Sequence, residues 1–333
     1  MIISRTPCRM SFVGGGTDLP SHYLRHGGAV VSTAIDKYIN VIVNTKFDDN
    51  IRVSYSKTEI CDSVDEIKHP IVRESLRLTG ISNAIEILSL ADIPASGTGL
   101  GSSSSFAVGL LHTLYAYLGR RPTKHQLGHD ACKIEIDICG EPIGKQDQYA
   151  AAFGGLNFIR FNRDNTVEVE PLDCADHIHD RIESCILAFY TGVERSASRL
   201  LEEQNRVIET GSKSETLRRM TDQAYQLRDE LRRGNADAIG VMMHEGWEMK
   251  KSIADNVSNG EIDTWYRRGR EAGALGGKLL GAGGGGFLVF YAPPETHKAI
   301  RAALGNLQPI EFRLDQEGSK IIFQDEIEHG GRR

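Results

Sequence analysis

Over the first 60 residues, apolar and polar positions alternate in short runs instead of recurring at helical spacing. Ala29-Val30-Val31 and Ile39-Asn40-Val41-Ile42-Val43 read as strands, and Ile51-Arg52-Val53-Ser54-Tyr55 alternates with a period of two. Helical spacing is expected around 70–78, followed by a strand over 84–90. An apolar-rich helix over 106–118 stops at Gly119, and Thr123 can cap a second one running to about Cys139. Strand character returns over 153–161, 167–169 and 184–190. The chain then turns strongly helical over 197–233 and again over 235–258. A glycine-rich stretch, 273–286, precedes the apolar strand Phe287-Leu288-Val289-Phe290-Tyr291, and the tail predicts a helix over 296–304 and a strand over 309–314. The mixture predicts an α+β protein of two lobes, divided as 1–180 and 181–333.

Composition narrows the function classes. With 39 basic and 45 acidic side chains the net charge is −6, which argues against nucleic acid as the main partner. No apolar run approaches the ~20 residues that a membrane span needs. The start carries no basic leader with an apolar run. The six cysteines are therefore expected to be reduced thiols of a cytoplasmic protein, either monomer or homodimer.

Three glycine-rich segments carry the candidate chemistry. In Pro94-Ala95-Ser96-Gly97-Thr98-Gly99-Leu100-Gly101-Ser102-Ser103-Ser104-Ser105, glycines at alternate positions allow sharp turns that bring N–H groups close to an anion. The serines then open a helix whose first amides and dipole favour a phosphate. No Gly-Lys-Ser/Thr closes the segment, so it is not a Walker A loop, and the serines separate it from a dinucleotide fingerprint. Near the N-terminus, Arg9 lies in an alternating run before Gly14-Gly15-Gly16-Thr17-Asp18, whose polar end suits sugar hydroxyls. Gly281-Ala282-Gly283-Gly284-Gly285-Gly286 permits very close backbone approach to nucleotide or substrate. Phosphoryl transfer to a hydroxyl also needs a metal-binding group and a carboxylate beside the acceptor. Glu135 and Asp147 are candidates for those roles, with Asp137 and Glu141 as rivals by chemistry alone.

These three segments, in this order, resemble the GHMP kinase superfamily. The resemblance implies two α+β lobes, the N-terminal one like ribosomal protein S5 domain 2, and use of ATP with Mg2+. It places ATP at Pro94, Gly97, Gly99, Leu100, Gly101, Ser102, Ser103 and Ser104, and the metal at Ser103 and Glu135. Asp147 matches the catalytic base, Arg9 the arginine beside it, and Lys145 a positive charge near the reacting groups. Gly15, Gly16, Thr17, Asp18, Gly283 and Gly284 are implied on the substrate side. Galactokinases have Gly-Glu-His-Thr-Asp where this chain has Gly14-Gly15-Gly16-Thr17-Asp18, which argues against galactose. The run from Arg9 to Pro20, together with Tyr190-Thr191-Gly192 and Arg195-Ser196-Ala197-Ser198, looks like the heptose kinase branch. That branch phosphorylates the anomeric hydroxyl of D-glycero-D-manno-heptose 7-phosphate, and fucokinase-type domains are the nearest rival. A phosphorylated acceptor needs a basic site of its own, for which Arg25, Lys145, Arg160 and Arg195 are candidates.

Overall fold

The computed structural model describes residues 1–94, 97–193, 197–254 and 256–325; Ala95, Ser96, Arg195 and Ser196, named above, lie outside the described residues. Strand Ile2–Val13 pairs antiparallel with the long strand Gly28–Thr45, and this pair is the spine of a nine-stranded sheet. Period-two patterning is nearly lost along Ile2–Val13, because both faces are covered and most positions are buried. The sheet continues from Gly28–Thr45 through Ile85–Ala91 to the hairpin Ile51–Ser54 and Thr58–Cys61. Leu156–Phe161 pairs with the other end of the long strand. Helix Ser102–Tyr117 packs on this sheet with twelve buried positions, which is why its sequence is apolar nearly all round.

A second, antiparallel sheet runs Gln308–Ile310, Ile186–Tyr190, Phe287–Tyr291, Gly276–Leu279. It builds a core of its own around Trp247, Trp265, Phe189 and Phe290. Two expectations need correction here. Residues 273–286 are not one glycine-rich connector: Gly276–Leu279 is a fully buried strand, and only the turn after it is irregular. Nor does the tail stay with the second half of the chain. Leu314–Asp315 pairs with Gly28–Thr45 and Lys320–Gln324 pairs with Ile2–Val13, so a division at 180/181 leaves the last strands with the first sheet.

Local signals account for several boundaries. Thr123 accepts the Gln126 N–H and caps helix Lys124–Cys132. The next turn, Lys133–Ile138, widens to π geometry, a form that is rare and concentrated at functional sites. Three short helices, Pro20–His26, Gln146–Phe153 and Asp176–Cys185, were not anticipated. They run to 7, 8 and 10 residues, about two to three turns, too short for periodicity to show clearly, and only Pro20 at the first helical position marks the first of them.

Candidate active site

A cavity of about 710 Å³ lies where the glycine-rich segments meet. Gly97, Gly99 and Gly101 all take left-handed backbone (φ 73, 74 and 76°), so the chain reverses its turn at every second residue. Gly101 leads into helix Ser102–Tyr117, whose start has no side-chain cap. Its leading amides therefore face the cavity beside Ser102, Ser103 and Ser104. The second loop closes on the first by backbone packing: a Cβ at Gly99 would lie 2.3 Å from the Leu280 carbonyl oxygen.

Arg9 and Asp147 sit opposite the glycine loop. Arg9 donates from Nε and Nη2 to the two oxygens of Asp147 at 2.7 and 2.8 Å, and from Nη1 to the Gly99 carbonyl at 2.7 Å. This planar fork fixes the carboxylate plane and ties it to the glycine-rich loop at Gly99. Asp147 occupies the first turn of helix Gln146–Phe153, where the helix dipole favours an acidic group. Arg9 is buried and Asp147 is partly open to the cavity.

Asp18 lines the same cavity. Its carboxylate accepts from the Gly16 and Gln146 amides at 2.9 and 3.2 Å and from Gln146 Nε2 at 3.3 Å. Burial pushes its carboxyl above the usual range, and the Asp147 charge adds to that shift. Ser11 Oγ, buried and without a partner among the described residues, also faces this space.

Glu135 comes in from the π-helical turn. The Ser103 hydroxyl donates to its Oε1 at 2.9 Å and Gln148 Nε2 to its Oε2 at 2.7 Å. A hydroxyl and a carboxylate side by side at a helix start supply oxygen donors of the kind that suit a hard divalent cation. Burial drives the Glu135 carboxyl up to about 7, against the opposing pull of the Ser104, Gln148 and Ser103 hydrogen bonds. Its folded value thus exceeds the unfolded value near 4.5. The associated stability is fully present below that lower value and is lost as pH rises through about 7. Ligand-free Glu135→Gln should therefore match the wild type near pH 4 and exceed it near pH 8, by up to about 3 kcal/mol. Melting curves at the two pH values check this, and an unchanged difference between them refutes it.

Not every expected residue reaches the site. Gly15, Gly16, Asp18, Gly97, Gly99, Gly101, Ser102, Ser103, Ser104, Glu135, Asp147 and Gly283 line the cavity; Pro94, Leu100, Lys145, Thr17 and Gly284 do not. Thr17 is a staple within the fold, with its hydroxyl donating to the Ala29 carbonyl and accepting the Ala29 N–H. Leu100 contributes only its carbonyl, which accepts the Arg9 N–H at 3.0 Å. Lys145 is the main correction. Its ammonium donates to the Asn165 side-chain and backbone oxygens at 2.6 and 3.1 Å and lies 5.2 Å from the Tyr23 ring centre. Lys145→Met should accordingly change kcat less than about threefold, a test by steady-state kinetics.

Two lysines that the sequence reading passed over line the cavity instead, Lys250 and Lys278. Lys250 falls three residues after Trp247 and seven after Met243, on the buried stripe of helix Ala238–Lys251. Lys278 is the one charge in the buried strand Gly276–Leu279. A cation in a core position is a readable signal, because burial of an unpaired charge needs a reason. Of the rivals, Glu141 lines the cavity and Asp137 is exposed. Arg25 and Arg160 do not line it, and Arg160 is paired with Glu168.

Comparison with known proteins identifies the family. Residues 67–155 match the GHMP kinases N terminal domain, and residues 227–309 match the GHMP kinases C terminal family. The chain is 29% identical to a D-glycero-alpha-D-manno-heptose 7-phosphate kinase of Campylobacter jejuni, over 96% of this chain and 98% of that protein. It is 26% identical to an L-fucokinase/L-fucose-1-P guanylyltransferase of Bacteroides fragilis, covering 96% of this chain but 38% of that protein. The fold is shared with the crystal structure of a D-glycero-D-manno-heptose 1-phosphate kinase from Bacteroides thetaiotaomicron. The TM-score is 0.80 at 24% identity, over 98% of this chain and 100% of that one.

Proposed function

This chain belongs to the GHMP kinase superfamily, and on that premise we propose that it transfers the terminal phosphoryl of ATP to the anomeric hydroxyl of D-glycero-D-manno-heptose 7-phosphate. The observation that carries the transfer is the Arg9–Asp147 fork, held between the glycine loop and the Asp18 loop in one cavity. Similarity over nearly the full length to a heptose 7-phosphate kinase supports the choice of acceptor.

In this reading the amides at the start of helix Ser102–Tyr117 hold the donor phosphates, helped by left-handed Gly97, Gly99 and Gly101. Ser103 and Glu135 would hold magnesium, which would neutralise charge on the phosphate oxygens. Asp18, with the Gly15–Gly16 backbone, orients the sugar hydroxyls, and Ser11 offers a further unpaired hydroxyl. Asp147 accepts the proton of the attacking hydroxyl as its oxygen bonds to the terminal phosphorus and the bond from that phosphorus to the bridging oxygen breaks, releasing ADP. Arg9 keeps that carboxylate aimed and offsets charge at the reacting centre. Most of the rate then comes from positioning, as expected for a loose phosphoryl-transfer transition state.

The second reading, an L-fucose kinase, is favoured by the similarity to the bifunctional fucokinase. ADP release with magnesium and ATP, measured against heptose 7-phosphate, free heptose, L-fucose and galactose, tests both, with phosphorus NMR locating the new ester. A 1,7-bisphosphate product supports the proposal; turnover of L-fucose alone transfers the assignment to the second reading.

A further inference from the structure

Lys250 and Lys278 are the basic side chains in the cavity that the reaction above leaves without a task. Their residues are only 7% and 6% exposed. Neither makes an ion pair among the described residues: Lys250 donates to the Gly281 carbonyl, and Lys278 is 3.4 Å from the Phe12 carbonyl oxygen. The nearby carboxylates are engaged elsewhere, Asp147 by the Arg9 fork and Asp18 by the Gly16 and Gln146 amides. Burial pushes the Lys250 ammonium down to about 8, with Arg9 adding to the shift. Lys278 is driven well below its ordinary value by burial, then by Lys250 and Arg9. Two buried cations lining one open cavity raise the energy of the empty protein, and an anion bound beside them would relieve it.

We propose that Lys278, with Lys250 beside it, binds a phosphate that the acceptor already carries, so that the enzyme selects sugar phosphates over free sugars. The inference rests on the kinase reading above and adds the residues that read the acceptor. Placement favours the acceptor over the donor. Lys278 borders Gly15: a Cβ built there would lie 4.0 Å from its ammonium and 3.8 Å from Gln146 Nε2, on the side of the Asp18 loop. The donor phosphates have their own amides, at the start of helix Ser102–Tyr117. Lys250 lies nearer the junction of the two loops, because its acceptor Gly281 packs against Gly99.

The test uses the full chain saturated with magnesium and a non-hydrolysable ATP analogue, so that the donor site is filled. Calorimetry then compares heptose 7-phosphate, free heptose and inorganic phosphate on the wild type, Lys278→Met and Lys250→Met. The wild type should prefer the phosphorylated sugar, and Lys278→Met should lose about 10–100-fold of its affinity for it while free heptose is unaffected. Binding of the ATP analogue should not change. The free variants should melt at or above the wild-type temperature, since an unpaired buried cation has been removed; a purely structural lysine would lower it. A wild type that binds both heptoses equally overturns the inference and leaves the sugar kinase standing. Weakened analogue binding in both variants overturns it in favour of the donor phosphates. If neither heptose binds but inorganic phosphate does, and the variants lose it, the heptose reading fails and the anion site survives.

Discussion

Replacing Asp147 with Asn is expected to lower kcat by about 10²–10⁴-fold, the range over which a positioned general base contributes. The substitution keeps the shape of the side chain and one oxygen for Arg9, but removes the negative charge that receives the proton. The nucleotide should still bind, because Arg9 keeps its hydrogen bond to the Gly99 carbonyl and the glycine loop keeps its turn. A modest stability cost of about 1–3 kcal/mol accompanies the change, since Arg9 is buried and loses its counter-charge. Single-turnover kinetics alongside nucleotide titration separates the two effects. Wild-type turnover in Asp147→Asn would remove this residue from the role of base, and Asp18 would be the next group to examine.

Gly99→Ala is the second substitution with a large expected effect, and it acts without touching any reacting atom. The added methyl would stand 2.3 Å from the Leu280 carbonyl oxygen, a backbone atom that cannot swing aside. The residue also holds φ at 74°, where an L side chain is strained. Strain and overlap together should cost about 2–4 kcal/mol, or be avoided by parting the two glycine loops. In either case the carbonyl that anchors Arg9 moves, so nucleotide affinity and kcat should fall together by more than about tenfold. A melting curve and an ATP titration on one preparation check this. Gly140→Ala is the control, because that glycine is also left-handed but has no atom within 4 Å of the built Cβ. Equal behaviour of the two variants would show that backbone strain alone, not the loop-on-loop contact, governs Gly99.

The stretches most legible in the sequence were those whose chemistry is local. Alternating glycines before a run of serines can serve few purposes, and Gly97, Gly99 and Gly101 take the left-handed turns that their spacing implied. Thr123 was read as a helix cap because a hydroxyl at that point satisfies an amide within its own turn. That Arg9 and Asp147 both belong to the site was inferred by resemblance; no spacing of 138 residues announces a bidentate pair. The failures share a cause. Lys145 stands two residues before Asp147, yet residues two apart at a helix start do not face the same way, and the ammonium turns to Asn165 and Tyr23. Thr17 looked like a substrate group but satisfies the Ala29 backbone, an obligation set by a strand twelve residues on.

Local composition and turn chemistry thus determined from sequence alone that the chain has a glycine- and serine-rich turn opening a helix, a helix capped at Thr123 and a mixed α+β build. These depend on backbone preferences and hydrogen bonds that close within a few residues. Tertiary structure alone decided which charges share the cavity. Glu135 is brought to Ser103 by a π-helical turn, and Lys250 and Lys278 are carried in by the second sheet and its helix. The last strands return to the first sheet for the same kind of reason. A buried charge is tolerated only through partners that packing supplies from distant parts of the chain, and side-chain reach and burial are properties of that packing, not of the order of residues.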